Sequence, residues 1–557
     1  MGIPSYFSYI IRSHANIIRN RYKMRDTTLN SLYMDCNSII YDAIRGNGGI
    51  PEGTLDKDGW IIQTVIRKID EYVRSISPTN VLFIAFDGVA PLAKMNQQRN
   101  RRYKNGLVDN SSPNQGNSFN TAMITPGTAF MQRLSEQINT AFIGREYMYG
   151  VRRLVVSTSE EEGEGEHKMF QYIRDNAAKT ENIAVYGLDS DLIMLSLVHH
   201  FYCNNIFIFR EAPEFSKSVL PRDAKIQPNE LLFMDIRLLG LSILKEMGVS
   251  LAVDESTKAN RICDYIFMCF LLGNDFLPHF PALNIRSNAN HMLLELYRIH
   301  MGAYNDRYFV SINPISVNWA HVKLFLTRIA QYERAKIMEE LEERAKMEKR
   351  VGSTLGNPQT EEERKQAMDN IPILYRGEEK YINPSEIGWE SRYYERVFGH
   401  AASSKDIQHA CHQYLQGLEW VYRYYVEGCC NWRWKYDGHY APLLNDIISY
   451  IPSTNGTTLF HSNRQPTGNA YHPNTQLLYV IPPWNFDEMF GKNKTIEKIC
   501  ATYQEKFMEK DQIEFQWMFC RYFWESHVKL PEIDIATLDK WNEEFITKSK
   551  AIKNKKK

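Results

Sequence analysis

The chain has 557 residues, 43% of them hydrophobic and 24% charged, and its 66 basic and 66 acidic side chains give a formal net charge of zero. This length allows several domains, and the balance excludes a protein that binds nucleic acid through overall positive charge, so any such affinity depends on local patches. The cysteines form no C-x-x-C pair, which argues against a zinc knuckle or a disulfide framework. No apolar run approaches the length of a membrane span. We expect a soluble, monomeric, intracellular protein, in the cytoplasm rather than the nucleus.

Apolar segments in the N-terminal half predict four β-strands, within residues 31–42, 80–88, 152–158 and 182–191. Continuous apolar strands that alternate with helical stretches favour a mostly parallel sheet covered on both faces. The predicted fold class is therefore α/β, with a mostly parallel sheet flanked by helices. In such a sheet the ligand site lies beyond the carboxyl ends of the strands.

Aspartates stand where three of these strands end, namely Asp35, Asp87, and the pair Asp189 and Asp191. A single aspartate there is most often a turn former or a helix N-cap. Several at one sheet edge would raise one another's pKa, and divalent cations remove that cost. Oxygen ligands suit Mg²⁺ or Mn²⁺, and a two-metal phosphodiester site is a common use of such a cluster.

The sequence E-E-G-E-G-E-H-K over residues 161–168 places Glu164 and Glu166 between glycines, just before a predicted helix. Alone, this is typical of a solvated acidic helix start, where carboxylates are favoured. Beside the strand-end aspartates it supplies two more candidate metal ligands. Asp275 follows an apolar helix predicted to stop at Gly273 and is a further candidate.

A basic segment follows Asp87 directly. Its polar side chains recur at spacings i, i+4, i+7 and i+8, which share one helical face: Lys94, Gln98, Arg101 and Arg102. This pattern fits either an exposed basic helix or a phosphate pocket built from arginine forks and a lysine charge. The pocket would lie beside the carboxylates.

The second half differs in composition. Residues 331–366 are dense in Glu, Lys and Arg, and we interpret them as a long solvated surface helix between two halves. Residues 416–446 are very aromatic: Trp432, Trp434, Tyr436 and Tyr440 either belong to the core or, if exposed near a phosphate site, stack on bases. The basic tail KSKAIKNKKK is expected to be disordered and could add weak attraction to RNA.

Several long motifs, in order and spacing, resemble the Xrn-type 5′→3′ exoribonucleases: MGIPSYF, LYMDCNSII, FDGVAPLAKMNQQRNRRYK, GEGEHK, YGLDSDLIML, CFLLGNDFLPHFP, GLEWVYRYY, HYAPLLNDI and QLLYVIPP. The resemblance implies a PIN/5′-nuclease-like core and a compact member, limited to the catalytic core. It implies a nuclease domain over residues 1–300, connecting helices and a charged linker over 301–384, a second, aromatic-rich, mainly helical segment over 385–547, and the basic tail 548–557.

The resemblance also implies site residues. The catalytic, metal-binding carboxylates would be Asp35, Asp87, Glu164, Glu166, Asp189, Asp191 and Asp275, with two Mg²⁺ (or Mn²⁺) ions. The 5′-monophosphate pocket would be Lys94, Gln98, Arg101 and Arg102. The implied reaction is release of 5′-mononucleotides from single-stranded RNA bearing a 5′-monophosphate, in RNA decay.

Three positions depart from the family. Tyr41 stands where the family usually has a histidine that stacks on the 5′ base, Leu92 replaces a common arginine, and Ser38 replaces a common glycine. The partner ring for the 5′ base would be Trp432 or Trp434.

Two other functions are compatible with an acidic site of this kind. A structure-specific 5′ DNA nuclease usually carries a glycine-rich hairpin after its last aspartate, whereas this chain continues from Asp275 as FLPHFPALNI. An inactive RNA-binding scaffold would be free to lose carboxylates, and here the whole set is present.

Overall fold

The computed structural model describes residues 3, 5–46, 49–108, 119–187, 189–211, 230–354, 358–453, 457–460 and 468–556. Its centre is a sheet of seven strands: β1 Ile18–Asn20, β2 Ser31–Asp35, β3 Val81–Ala85, β4 Arg153–Ser157, β5 Asn182–Tyr186, β6 Asn205–Glu211 and β7 Leu231–Asp235. They lie in the order β1-β7-β6-β5-β2-β3-β4. In this order the five strands β6, β5, β2, β3 and β4 pair in parallel with their neighbours, while β7 is antiparallel to β6 and to β1. The predicted mostly parallel sheet is confirmed.

Helices cover both faces of the sheet. Those up to residue 302 are Tyr6–Ser13, Arg21–Met24, Asn37–Arg45, Lys57–Ile76, Leu92–Val108, Ala129–Phe142, Glu146–Tyr149, Gly165–Asn176, Ser190–His199, Ile236–Glu246, Glu255–Phe270 and Ala289–Tyr297. Because successive side chains of a strand point to opposite faces, β2 contributes Tyr33 to one buried cluster and Leu32 and Met34 to another. The sheet is therefore buried on both sides, as its continuous apolar strands predict.

The second half is mainly helical, as predicted, but the expectation of a disordered basic tail is wrong for residues 548–556, whose backbone continues the last helix. Its helices are Trp319–Ala330, Glu333–Thr354, Glu361–Asp369, Ile371–Leu374, Gly377–Ile382, Trp389–Phe398, Ser404–Val426, Leu444–Tyr450, Pro473–Val480, Phe486–Phe490, Lys494–Thr502 and Ile535–Lys556. Two short hairpins pair Val310–Ile312 with Ile315–Val317, and Glu514–Gln516 with His527–Lys529. None of the described helices combines the length and apolar character needed to cross a bilayer.

The charged helix Glu333–Thr354 forms where we predicted a helix, but its description as fully solvated is wrong for one face. Arg344 is buried and forms a two-pronged ion pair with buried Glu379, with Nη2 2.7 Å from Oε1. Glu333 is also buried and accepts the backbone N–H of Leu444 at 2.6 Å. Charged side chains can be buried when they are paired, and their partners lie far along the chain, outside the local pattern.

Candidate active site

The predicted carboxylates meet at the carboxyl edge of the sheet. Asp35 ends β2, and Asp87 follows β3 by two residues. Glu164 is the N-cap of the helix after β4, Asp189 is the N-cap of the helix after β5, and Asp191 lies in the first turn of that helix. Because β5, β2, β3 and β4 are consecutive neighbours, their ends place these side chains at one site. Glu164 and Asp191 are buried there, and Asp189 is exposed.

Two glycines allow the acidic loop to approach the strand ends closely. A Cβ on Gly165 would lie 3.1 Å from Oδ1 of Asp35 and 3.5 Å from Oδ1 of Asp87, and the Gly165 N–H donates to that same Asp87 oxygen at 2.7 Å. A Cβ on Gly88 would lie 1.6 Å from the carbonyl oxygen of Glu161. The spacing of glycines and glutamates in residues 161–168 thus fits a loop packed directly against the Asp87–Gly88 turn.

Lys94 lies inside the carboxylate cluster. Its Nζ is 2.6 Å from Oε2 of Glu164 and 2.8 Å from Oδ2 of Asp275. Burial would lower the pKa of Lys94, but Asp275 and Glu164 raise it well above its ordinary value. Burial would likewise raise the pKa of Asp275, but the positive charge of Lys94 and, more weakly, that of Arg101 hold it below the usual range. The first turn of the basic helix is therefore in direct contact with the acidic site, as its position after Asp87 predicts.

The cluster holds more negative charge than Lys94 neutralises. Burial is the main reason that the pKa of Asp35 lies well above its ordinary value, and repulsion from Asp87 is the second. Burial and repulsion from Asp191 raise the pKa of Glu166 in the same way. Burial and the charge of Asp275 raise the pKa of Asp191 to about 6. Oδ1 of Asp191 is buried without a hydrogen-bond partner among the described residues. An excess of buried carboxylate oxygens favours an added cation.

The side chains as they stand are not arranged as a finished metal centre, since the described ranges hold no group of three or more acidic, histidine or cysteine side chains set to ligate one ion. The backbone fixes the number of carboxylates and their place at the sheet edge, whereas aspartate and glutamate side chains can rotate between rotamers. Rotation of these side chains can bring their oxygens together around an ion that neutralises the excess charge. The donor set fits a hard divalent cation.

The basic segment forms the predicted helix, Leu92–Val108. Gln98 is half-buried, and its Oε1 has no hydrogen-bond partner within the described part of the chain. Arg101 is half-buried. Arg102 is buried and donates to the backbone carbonyls of Thr121 and Ile124 at 2.8 and 2.9 Å. These bonds fix the guanidinium of Arg102 beside the helix, and its contact with phosphate stays a prediction.

The rings predicted to stack on the 5′ base are less open than expected. Trp432 and Trp434 are 9% and 7% exposed. Trp434 stacks on Trp420, with centroids 5.1 Å apart and an interplanar angle of 28°, so one of its faces is already covered. Tyr41 is half-buried, with the Arg45 guanidinium 5.8 Å from its ring centroid. The choice of partner ring stays a prediction.

Tyr424 is a site residue that the sequence reasoning missed. Its hydroxyl donates to Oε1 of Glu164 at 2.8 Å, and its ring stacks on His167 with centroids 3.7 Å apart. Tyr424 lies within GLEWVYRYY, one of the segments that resemble the Xrn-type family. Its local pattern gives an aromatic helix face, and only the fold brings that face to the acidic loop.

Leu92 has a packing role in this chain. It is fully buried, in the same hydrophobic cluster as Trp541 and Phe545 of the C-terminal helix, and its N–H donates to the carbonyl of Trp432 at 3.0 Å. An apolar side chain suits this position because the C-terminal helix contributes to the surrounding core. The second half of the chain thus supports the start of the basic helix.

Comparison with known proteins agrees with this architecture. A family model described as the XRN 5′-3′ exonuclease N-terminus matches residues 1–212, and one described as the Xrn1 helical domain matches residues 256–380 and 374–553. The 5′-3′ exoribonuclease 2 homolog of Drosophila melanogaster is 28% identical, over 86% of this chain and 64% of the relative. The 5′-3′ exoribonuclease 1 of Homo sapiens is also 28% identical, over 86% of this chain and 30% of the relative.

The chain thus spans less than two thirds of the length of either relative. Among solved structures, the catalytic core of Rad2 in complex with DNA substrate is 12% identical and covers 53% of this chain and 69% of its own, with a TM-score of 0.28, a likeness too low to support an argument. The two family models together extend over both halves of the chain, and the helical-domain model alone reaches from residue 256 to residue 553. On that evidence the chain belongs to the XRN 5′-3′ exonuclease family.

Proposed function

We propose that the chain is a 5′→3′ exoribonuclease that removes 5′-mononucleotides from single-stranded RNA bearing a 5′-monophosphate. The observation that carries this proposal is the buried carboxylate cluster at the sheet edge, in contact with the helix that bears Lys94 and Arg101. Acidic groups that suit divalent cations beside basic groups that suit phosphate are what phosphodiester hydrolysis requires. Family membership and the names of the two relatives support the same reaction class.

The divalent ions, which we propose are two Mg²⁺ or Mn²⁺ ions, would be held by Asp35, Asp87, Glu164, Glu166, Asp189, Asp191 and Asp275. When bound, such ions supply an activated water and stabilise the departing 3′-oxygen. Tyr424 holds one oxygen of Glu164 and so fixes the direction of the other. Gly165 lets the helix start lie against Asp35 and Asp87.

Lys94, Gln98, Arg101 and Arg102 would bind the terminal phosphate. Lys94 lies between the carboxylates and the rest of the basic helix, and its flexible side chain can reach a phosphate when its bonds to Glu164 and Asp275 are exchanged. Gln98 has a buried Oε1 without a hydrogen-bond partner among the described residues and an amide that can donate. Holding the 5′ end here would place the first phosphodiester bond at the carboxylates. Tyr41 would stack on the leading base, and stacking of this kind tolerates any RNA sequence.

The test uses one labelled single-stranded RNA carrying either a 5′-monophosphate or a 5′-triphosphate, with Mg²⁺, and an Asp189→Ala/Asp191→Ala variant as the control. We expect mononucleotide release from the monophosphorylated RNA alone, lost in the variant and on chelation of the metal. Equal attack on both ends would contradict a phosphate pocket on the basic helix and require DNA flaps to be tested as substrates. Binding of RNA without cleavage by the wild type would favour the inactive scaffold.

A further inference from the structure

A group of aromatic and arginine side chains lies on the surface away from the carboxylates, and we call it the Trp524 patch: Tyr522, Trp524, Arg286 and Arg521. Trp524 is 43% exposed and stacks on Tyr522, with ring centroids 5.6 Å apart and an interplanar angle of 13°. The Arg286 guanidinium lies 5.5 Å from the Tyr522 centroid and 5.8 Å from the Trp524 centroid. Arg521 lies 4.7 Å from Tyr522. A single exposed Trp needs no explanation, but Trp524 is stacked on Tyr522, and the Arg286 guanidinium lies near both rings.

Glu525 holds the patch in place. Its carboxylate is 2.6 Å from Nη2 of Arg286 and accepts the backbone N–H of Arg521 at 2.7 Å. Two guanidinium groups against one carboxylate leave the patch with net positive charge. Because the side chains are ordered before any ligand arrives, binding would cost little conformational entropy.

The patch is connected to the active site by two segments. Lys104, ten residues after Lys94 on the same helix, donates through Nζ to the carbonyls of Trp524 and Ser526, both at 2.6 Å. At 1.5 Å per residue, that separation is about 15 Å along the helix. The segment that begins with Asp275 reaches the patch at Arg286. The distance of about 15 Å between Lys94 and Lys104 along the helix corresponds to a few nucleotides of an extended RNA strand.

We propose that the Trp524 patch binds the single-stranded RNA that follows the 5′ end, with a base stacked on Trp524 and its phosphates near Arg286 and Arg521. This inference rests on the proposed function, which supplies RNA as the substrate. Stacking on an exposed aromatic ring is tolerant of sequence, and guanidinium groups suit phosphate. A second contact of this kind would keep RNA bound between successive cleavages.

The stacking ring is the part to test. The neighbouring helix Glu361–Asp369 packs against the Trp524 segment and carries three glutamates in its first turn, so the charge of the surroundings is mixed.

The experiment uses the full chain with Asp189→Ala/Asp191→Ala, in Mg²⁺, so that bound RNA is not cleaved. Dissociation constants are measured for 5′-phosphorylated oligoadenylates of twenty and of three nucleotides. The variants are Trp524→Ala, Trp524→Phe and, as a matched control on a fully exposed ring, Tyr147→Ala.

We expect Trp524→Ala to weaken binding of the longer RNA about tenfold and to leave the trinucleotide within about twofold. Trp524→Phe should recover most of the loss, and Tyr147→Ala should change neither constant. An equal loss for both RNAs would overturn the inference, because it would mean general damage to the fold or active site. Unchanged binding of the longer RNA would overturn the patch alone. Failure of the wild-type chain both to bind and to cleave 5′-monophosphorylated RNA would overturn the proposed function and this inference with it.

Discussion

The hydroxyl of Tyr424 offers a sharp test of how the second half of the chain serves the carboxylates. Tyr424→Phe deletes the 2.8 Å hydrogen bond to Oε1 of Glu164 and keeps the ring that stacks on His167. Hydrogen bonds to charged groups contribute about 1.5–3 kcal/mol. If Glu164 must be oriented in the transition state, that energy corresponds to a fall in kcat of about 10- to 150-fold. KM for RNA should change little, because the Tyr424 hydroxyl contacts a carboxylate rather than the predicted phosphate-binding side chains.

The matched control is Tyr422→Phe. Tyr422 lies on the same helix, is equally buried, and donates its hydroxyl proton to the carbonyl of Ser311 at 2.8 Å. Each variant loses one oxygen atom and one buried hydrogen bond, and thermal melting of each checks that it is folded. Steady-state release of mononucleotides from 5′-monophosphorylated RNA then separates them, since only Tyr424→Phe should lose kcat. Equal kcat values for the two variants, measured where both are folded, would refute a role of Tyr424 in orienting Glu164.

Two further substitutions test the loop and a buried carboxyl. In Gly88→Ala the new Cβ would lie 1.6 Å from the Glu161 carbonyl oxygen, so the acidic loop must shift and mononucleotide release should fall at least about tenfold. The control Gly352→Ala, whose Cβ would meet no described atom within 4 Å, should keep full activity. A fully active Gly88→Ala enzyme would contradict the close packing of the acidic loop against Gly88. Burial raises the pKa of Glu333 from 4.5 to about 7, so the folded state binds the extra proton and stability falls as pH rises through that window. Glu333→Gln keeps an acceptor for the Leu444 N–H and should flatten the decline of melting temperature between about pH 5 and pH 8, whereas an unchanged decline would contradict the raised pKa.

The sequence alone predicted four of the seven strands of the sheet and the edge at which those strands end. Apolar runs and their spacing predicted four strands of a mostly parallel sheet, and the acidic residues after them marked its carboxyl edge. The period of the basic segment predicted the helix that bears Lys94. These features could be predicted because hydrophobic periodicity is local, and because parallel strands bring their carboxyl ends to one edge whatever the remainder of the fold.

Only the tertiary structure decided which groups touch. Lys94 meets Asp275, 181 residues away, and Tyr424 meets Glu164, 260 residues away. The same is true of burial: Trp434 is covered by Trp420, and one face of a highly charged helix is buried through the ion pair of Arg344. Local pattern fixes the side of an element on which a residue lies, but its partners depend on how distant elements pack, and a charged or aromatic side chain is equally compatible with solvent, with a core and with a site until that packing is known.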